Sequence, residues 1–99
     1  MRQSFIDTHR QLLRKWRKAM DLIGPGEMEP HFVDAIGAVE TLDISGDWID
    51  LGAGAGFPGI ALGSYHPHVH LTMIESRQKR AIFLKQVVLR AKIPNITVI

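Results

Sequence analysis

The fold is decided by one stretch, Trp48-Ile49-Asp50-Leu51-Gly52-Ala53-Gly54-Ala55-Gly56-Phe57-Pro58-Gly59-Ile60. Residues 47–51 form a short β-type run that glycine ends abruptly, which predicts a strand. Pro58 predicts a short helix over 58–64, because the first turn of a helix tolerates the missing N–H of proline. Glycines between a strand and a helix let the chain turn sharply and let its backbone approach a ligand without interfering Cβ atoms. The stretch therefore predicts a ligand-binding turn.

Helices and strands alternate along the whole chain around this turn. Apolar residues at spacings of three, four and seven predict helices, and apolar β-type runs predict strands. In chain order these are helix 5–20, a helix from about 27–30 to 41, strand 47–51, helix 58–64, strand 69–74, helix 77–92 and strand 96–99. Gly24-Pro25-Gly26 ends the first helix. The alternation indicates an α/β fold with a parallel sheet, in which a helical segment 1–46 and a sheet segment 47–99 form one compact unit.

Three of the predicted helices carry an apolar stripe that we expect to face the core. The stripes comprise Phe5, Leu12, Leu13, Trp16 and Met20 on the first helix, Phe32, Ile36 and Val39 on the second, and Ala81, Leu84, Val88 and Ala91 on the last. We also expect Trp16 and Trp48 to anchor the core.

The composition is that of an ordinary globular chain, with 99 residues, 45% apolar and 22% charged. This length allows one small domain. The absence of cysteine excludes a disulfide framework and thiolate chemistry, and it favours a reducing compartment. No apolar stretch approaches the roughly 18–20 residues that span a bilayer. The N-terminus also does not read as a secretory signal. We therefore expect a cytoplasmic protein that does not enter a membrane.

The net charge of +2 hides a strong segregation of charges. Residues 1–20 carry six Lys and Arg against one Asp, residues 21–50 carry eight acidic residues and no Lys or Arg, and residues 51–99 carry six Lys and Arg against one Glu. Two basic segments therefore flank an acidic one. Such asymmetry is compatible with a polyanionic partner and also with ordinary solvated helix faces.

Two carboxylates accompany the glycines at the spacing of adenosine-binding sites. Glu75 ends the next strand 19 residues after Gly56, where such folds place a carboxylate that accepts hydrogen bonds from ribose hydroxyls. Asp50 stands two positions before Gly52, and a carboxylate there suits a cationic ligand such as S-adenosylmethionine better than a pyrophosphate. Residues 54–59 also match the G-x-G-x-x-G dinucleotide fingerprint, so a nicotinamide dinucleotide stays open as the ligand.

Three histidines, His66, His68 and His70, alternate around the start of the second strand. No cluster of carboxylates lies close to them in the sequence, and a metal site needs several ligands. We therefore expect surface histidines and no metal site.

Further motifs stand in order along the chain. They are Leu13-Arg14-Lys15-Trp16, His31-Phe32-Val33-Asp34-Ala35-Ile36, the Gly-Phe-Pro-Gly run at 56–59, and then Glu75-Ser76, Lys79-Arg80 and Phe83-Leu84. With these motifs the sequence resembles the bacterial 16S ribosomal RNA guanine-N7 methyltransferases of the glucose-inhibited division B family. The resemblance covers essentially the whole chain, and the Gly-Phe-Pro-Gly run is its most diagnostic part.

The resemblance implies a Rossmann-like class I methyltransferase half-fold, with two N-terminal helices followed by β-α-β-α-β and strands in the spatial order 3-2-1. It implies S-adenosylmethionine as the cofactor and a guanine of 16S ribosomal RNA in the small subunit as the substrate. By the same resemblance Gly52, Gly54, Gly56 and Phe57 line the cofactor site, Asp50 lies near the amino-acid end of the cofactor, and Glu75 holds its ribose.

The resemblance also bears on chemistry and on RNA. Transfer to guanine N7 uses a lone pair of the ring, so alignment of the reactants supplies most of the acceleration and we nominate no catalytic base. The candidate RNA contacts are the basic residues of the first helix, with a solvated helix face as the alternative. These residues are Arg10, Arg14, Arg17 and Lys18.

The chain departs from the family in two ways. Asp21-Leu22-Ile23 stands where the family usually has Asn-Leu-Thr, and the family's chains are about twice as long, with more strands. A first strand that lies unpaired at a sheet edge seeks another chain, so we expect a homo-oligomer formed by edge pairing or by exchange of an element. Two alternatives to an enzyme fragment stay open: a non-catalytic half-domain that at most binds cofactor, and a nicotinamide-dinucleotide binder.

Overall fold

The computed structural model describes residues 2–20 and 26–99, without the side chains of residues 18–20. Its elements in chain order are α1 (Arg2–Met20), α2 (Glu29–Val39), β1 (Gly46–Leu51), α3 (Gly59–Tyr65), β2 (Val69–Ile74), α4 (Gln78–Ala91) and β3 (Ile96–Val98). All the predicted elements are present, with ends displaced by a few residues. The Asp21-Leu22-Ile23 departure and most of the Gly24-Pro25-Gly26 stop lie outside the described residues.

The three strands form a parallel sheet in the order β1-β2-β3. β1 pairs with β2 from Gly46 opposite Val69 to Leu51 opposite Ile74, and β2 pairs with β3 from Leu71 opposite Ile96 to Met73 opposite Val98. Since parallel neighbours end at the same edge, the residues that follow β1 and β2 lie side by side. The α/β class and the strand order 3-2-1 are confirmed.

Only one face of the described sheet is covered by helices. Along β2, Val69, Leu71 and Met73 are buried while His70 is exposed and Thr72 half-buried, the period of two of a strand with one covered face. α3 lies so close to the sheet that a Cβ on Gly63 would stand 2.5 Å from Ile96 Cγ1. The covered face therefore contains the core.

Among the side chains of α1 that the structure describes, five are buried in that core, and they share one face of the helix. These are Phe5, Ile6, His9, Leu12 and Leu13. Trp16 packs against the core and is partly buried, which agrees with its predicted position. On α4 the predicted stripe is displaced, because the fully buried residues are Phe83, Leu84 and Val87, and three of the four predicted residues are only half-buried.

Two further expectations are wrong. Trp48 does not anchor the core: it lies on the edge strand β1 with 43% of its surface exposed, and its indole N–H donates to the Ser45 carbonyl at 3.0 Å. His66 is not a surface histidine, since it is buried and its Nε2 lies 2.6 Å from the Val39 carbonyl oxygen. Beside it, the Asn95 side-chain amide donates to the main-chain carbonyls of Gly63, His66 and Val69. These two side chains provide hydrogen-bond partners for main-chain carbonyls at the end of the sheet where β2 begins.

A buried histidine joins α1 to the turn after β1. His9 is 1% exposed, and its Nε2 lies 2.7 Å from the carbonyl oxygen of Ala55. Since a carbonyl oxygen only accepts, Nε2 carries the proton and donates it. Burial lowers the pKa of His9 from 6.5 to about 4, the nearby Arg10 acts in the same direction, and the bond to Ala55 opposes them. His9 is therefore neutral in the folded protein at neutral pH.

Within the described residues, no helix has the combination of length and apolar character needed to cross a membrane.

The lowered pKa of His9 predicts that the stability of the folded chain depends on pH. Its pKa is lower in the folded chain, so the unfolded chain binds the extra proton, and this contribution is complete above pH 6.5 and is lost as the pH falls towards 4. We expect the free energy of unfolding to fall by roughly 2–4 kcal/mol over this interval through His9. Urea denaturation of the wild type and His9→Gln from pH 7.5 to 4 measures it. Equal pH slopes in the two proteins would contradict the assignment.

Candidate glycine-loop site

Residues 52–58, the glycine loop, connect the end of β1 to the start of α3. The Ile74 carbonyl, at the end of the neighbouring strand, accepts the N–H of Gly52 at 2.8 Å and that of Ala53 at 3.4 Å. Gly52, Gly54 and Gly56 all have positive φ, at +71°, +56° and +97°. The loop therefore begins as a bonded extension of the sheet and then follows a path that side-chain-bearing residues rarely adopt.

The loop is packed on one side and open on the other. A Cβ on Gly56 would lie 2.9 Å from Ile60 Cγ1 and 3.0 Å from His9 Nε2, so the protein itself occupies that space. A Cβ on Gly52 would meet no heavy atom within 4 Å, and one on Gly54 only the Gly52 carbonyl oxygen at 3.8 Å. The backbone at Gly52 and Gly54 is therefore accessible to a ligand, whereas Gly56 faces the interior.

Glu75 links the end of β2 to the glycine loop. One carboxylate oxygen accepts the Gly54 N–H at 2.9 Å and the other accepts the Arg77 N–H at 2.8 Å. The Arg77 and Gly54 bonds, together with the charges of Arg80 and Arg77, hold the pKa of the Glu75 carboxyl below its ordinary value against the opposing effect of burial. A carboxylate has about four acceptor positions, so an ionised Glu75 retains capacity for further donors. The sequence predicted a ligand-binding carboxylate here, and what the structure shows is that Glu75 holds the loop.

Asp50 is the second carboxylate beside the loop, and its surroundings shift its pKa in the opposite direction from that of Glu75. Its Oδ2 is buried without a hydrogen-bond partner among the described residues, and a Cβ on Gly59 would lie 2.6 Å from it. Burial first, and then the negative charge of Glu75, raise the pKa of Asp50. An orphaned carboxylate oxygen at the base of a ligand loop is relieved by a cation and made worse by an anion.

Phe57 closes the loop with its ring among three others. The Phe57 ring centroid lies 4.9 Å from that of Phe32, 5.0 Å from that of His9 and 5.6 Å from that of His31. The His31 ring is nearly parallel to it, at 26°, and is exposed. Phe57 is therefore only partly available to a ligand, and α1 and α2 supply the rings that surround it.

The loop and its two carboxylates offer features that a cationic ligand can use. Glu75 offers acceptor capacity for ribose hydroxyls, Asp50 offers an uncompensated oxygen, and the backbone is open at Gly52 and Gly54. In the part of the chain that the structure describes, no three His, Cys, Asp or Glu side chains are grouped so that they could hold a metal ion. The donor set therefore suits a ligand that carries positive charge and has hydroxyl groups to donate.

The four candidate RNA contacts on α1 differ in their surroundings. Arg10 is engaged: its Nε lies 2.5 Å from Glu29, its Nη1 lies 2.7 Å from Asp7, and its guanidinium lies over the Phe32 ring. Arg17 donates to the Gly26 carbonyl at 2.8 Å, and Arg14 is exposed. The side chain of Lys18 lies outside the described residues.

His9 contacts the site but was not among the predicted site residues. The signal was available in the sequence, because His9 falls four residues after Phe5 and three before Leu12, on the apolar stripe of the first helix. A polar residue on such a stripe has to find a buried partner, and the partner here is the Ala55 carbonyl.

Comparison with known proteins assigns the chain to a family. The sequence model of the family described as rRNA small subunit methyltransferase G matches residues 2–99. The chain is 34% identical to Ribosomal RNA small subunit methyltransferase G of Paracoccus denitrificans over 99 residues, covering 95% of this chain and 51% of the relative. Proteins of the same name from Pseudomonas putida strain F1 and Pseudomonas aeruginosa strain LESB58 are 39% and 37% identical, each match covering 89% of this chain and 43% of the relative. The chain thus spans about half the length of these relatives. With its full described length matched, this chain belongs to the rRNA small subunit methyltransferase G family.

Proposed function

We propose that this chain binds S-adenosylmethionine at the glycine loop and forms the N-terminal half of a methyltransferase that acts on guanine N7 of 16S ribosomal RNA. The observation that carries the proposal is the pairing of an open glycine backbone with two carboxylates, one of them orphaned. Family membership supports the same chemistry.

Each residue of the site has a distinct task in this proposal. Glu75 accepts from the ribose hydroxyls while it holds the Gly54 N–H, and Asp50 compensates positive charge near the amino-acid end of the cofactor. Gly52 and Gly54 admit the ligand to the backbone, and Phe57 borders the site. When bound, the cofactor supplies a methyl group on a cationic sulfur, and guanine N7 offers a lone pair. The task of these residues is therefore orientation rather than proton transfer.

A nicotinamide dinucleotide fits the same loop less well. Dinucleotide sites place the pyrophosphate at the start of the helix that follows the glycine turn. Here the Asp50 Oδ2 lies against Gly59, the first residue of α3, and a second carboxylate stands across the loop. Like charges at this position oppose a pyrophosphate.

Calorimetric titration of the 99-residue chain separates these ligands. We expect binding of S-adenosylmethionine and no binding of NAD. Glu75→Ala removes the acceptor of the Gly54 N–H and of the ribose, and Gly54→Val obstructs the open backbone at a positive φ. Each is expected to weaken binding by about tenfold or more.

Asp43→Ala is the matched control for loss of an acidic side chain, since Asp43 is exposed in the segment before β1, away from the glycine loop. Its affinity should equal that of the wild type. Unchanged affinity in both Glu75→Ala and Gly54→Val would defeat the assignment of the site, and tighter binding of NAD than of S-adenosylmethionine would reverse the choice of ligand.

We propose further that RNA contacts α1 through its exposed basic side chains, with Arg14 as the strongest candidate because Arg10 is engaged by Glu29 and Asp7. Each Lys or Arg that neutralises a phosphate adds to the slope of affinity against salt concentration. Arg14→Ala should therefore weaken binding of a single-stranded RNA and lower that slope by about 0.7 unit, the value for one phosphate contact on a single strand.

Arg2→Ala is the matched control on the same helix, since the Arg2 guanidinium lies 4.8 Å from the centroid of the Tyr65 ring. Fluorescence anisotropy at several salt concentrations gives both slopes. Identical slopes for the wild type and Arg14→Ala would assign this side chain to a solvated face.

The edge of the sheet supports a second proposal, in which two copies of this chain associate through β1. β1 is the edge strand of the described sheet, and its Ile49 and Leu51 are 67% and 76% exposed. A parallel sheet ordinarily has both faces covered, and an unpaired strand edge presents N–H and C=O groups for another strand. This surface favours the alternative in which the chain is a non-catalytic half-domain that associates with a second copy.

Sedimentation velocity from micromolar to millimolar concentration tests the association. We expect a dimer at the higher concentrations, and Ile49→Lys should return the chain to monomer because a charged side chain blocks the apolar strand. Val33→Lys places the same charge on an equally exposed apolar residue of α2, and should leave the dimer intact. A monomer at every concentration in the wild type would exclude this association.

A further inference from the structure

The imidazole of His9 touches three consecutive residues of the glycine loop. Its Nε2 donates to the Ala55 carbonyl at 2.7 Å, its ring fills the space beside Gly56, and its centroid lies 5.0 Å from that of Phe57. The ring of Phe32 on α2 lies 5.0 Å from it and that of Phe83 on α4 lies 6.2 Å from it. A single buried side chain thus connects the loop to three helices.

The bond from His9 determines how one peptide unit of the loop is turned. The Ala55–Gly56 peptide has its carbonyl bound to His9 and its N–H bound to the Ala53 carbonyl at 2.9 Å. A peptide group is planar, so bonds at both of its ends fix its rotation. The next carbonyl along the chain, that of Gly56, accepts the Ile60 N–H at 2.9 Å. This bond connects the loop to the first turn of α3.

From this geometry we infer that His9 is a positioning residue of the cofactor site: its Nε2–H holds the Ala55–Gly56 peptide and thereby keeps residues 52–57 in the conformation that receives S-adenosylmethionine. The inference rests on the proposed function for its ligand, while the holding of the loop stands on the contacts alone. His9 does not touch the open side of the loop, so it acts through the backbone and not on the ligand itself.

Two substitutions separate this role from packing. His9→Phe keeps an aromatic ring among Phe32, Phe57 and Phe83 but leaves the buried Ala55 carbonyl without its donor. His9→Gln gives up the ring, and its side-chain amide can donate to the same carbonyl from a similar position. A packing role predicts that His9→Gln is the more damaging change, whereas a positioning role predicts that His9→Phe is.

The matched control is His66, the second buried histidine that meets a main-chain carbonyl. Its Nε2 lies 2.6 Å from the Val39 carbonyl oxygen at the end of the sheet away from the glycine loop. His66→Phe therefore removes an equivalent buried bond and changes global stability without acting on the loop.

The test has one arm without ligand and one with it. Amide hydrogen exchange of Gly54 and Gly56, measured by NMR on the 99-residue chain, should be roughly 5- to 100-fold faster in His9→Phe, close to wild type in His9→Gln and unchanged in His66→Phe. The dissociation constant of S-adenosylmethionine, measured by calorimetry, should increase by a similar factor in His9→Phe only. Exchange and affinity in His9→Phe equal to those of the wild type would overturn the inference, and so would equal damage in His9→Gln.

The two arms also separate this inference from the proposed function. If the wild-type chain does not bind S-adenosylmethionine, the proposed function fails. The amide hydrogen exchange of the loop is then the only test of the positioning by His9. Faster exchange of the loop amides in His9→Phe then supports the positioning of the loop by His9, and unchanged exchange overturns it.

Discussion

The chain has seven residues, 52–58, in which to leave β1 and enter α3, and the structure depends on how the backbone of this loop is satisfied. Polar groups of the backbone have to find partners when they are withdrawn from water. Three of the partners come from outside the loop: the Ile74 carbonyl and the Glu75 side chain at the end of β2, and His9 on α1. The shape of the loop is therefore a consequence of where β2 ends and where α1 packs.

The same arrangement gives the two carboxylates beside the loop opposite characters. Glu75 is ionised at low cost because N–H groups of the backbone are directed at it, whereas Asp50 is withdrawn from water with one oxygen unpaired. Burial of Asp50 is thus electrostatically unfavourable, and such carboxylates are typical of binding sites. A cationic ligand relieves the penalty at Asp50 and uses the spare acceptor capacity at Glu75. Both effects favour a sulfonium nucleoside over a pyrophosphate.

Apolar periodicity and the glycine run are strong local signals, and they predicted the elements and the position of the loop, whereas the strand order was implied by the family resemblance. The sequence did not predict three features that depend on contacts between distant segments. Glu75 holds the glycine loop through a backbone N–H that lies 21 residues away in the sequence, and the burial of His66 depends on a carbonyl that lies 27 residues away. The exposure of Trp48 follows from the position of β1 at the edge, whereas an aromatic residue in an apolar strand suggests burial. His9 is the instructive case, because its place on the apolar stripe of α1 was visible but its partner was not.

The open face of the sheet and the glycine loop meet on a single strand. Along β1, Asp50 lies between Ile49 and Leu51, so the orphaned carboxylate points to the helix side while its two neighbours point to the uncovered side. Any strand that pairs with β1, or any surface that buries Ile49 and Leu51, orders the residues that lead directly into Gly52. By thermodynamic linkage, a ligand that orders the loop then favours that partner to the same extent as the partner favours the ligand. Binding of the proposed cofactor and completion of the sheet are therefore expected to be coupled through β1.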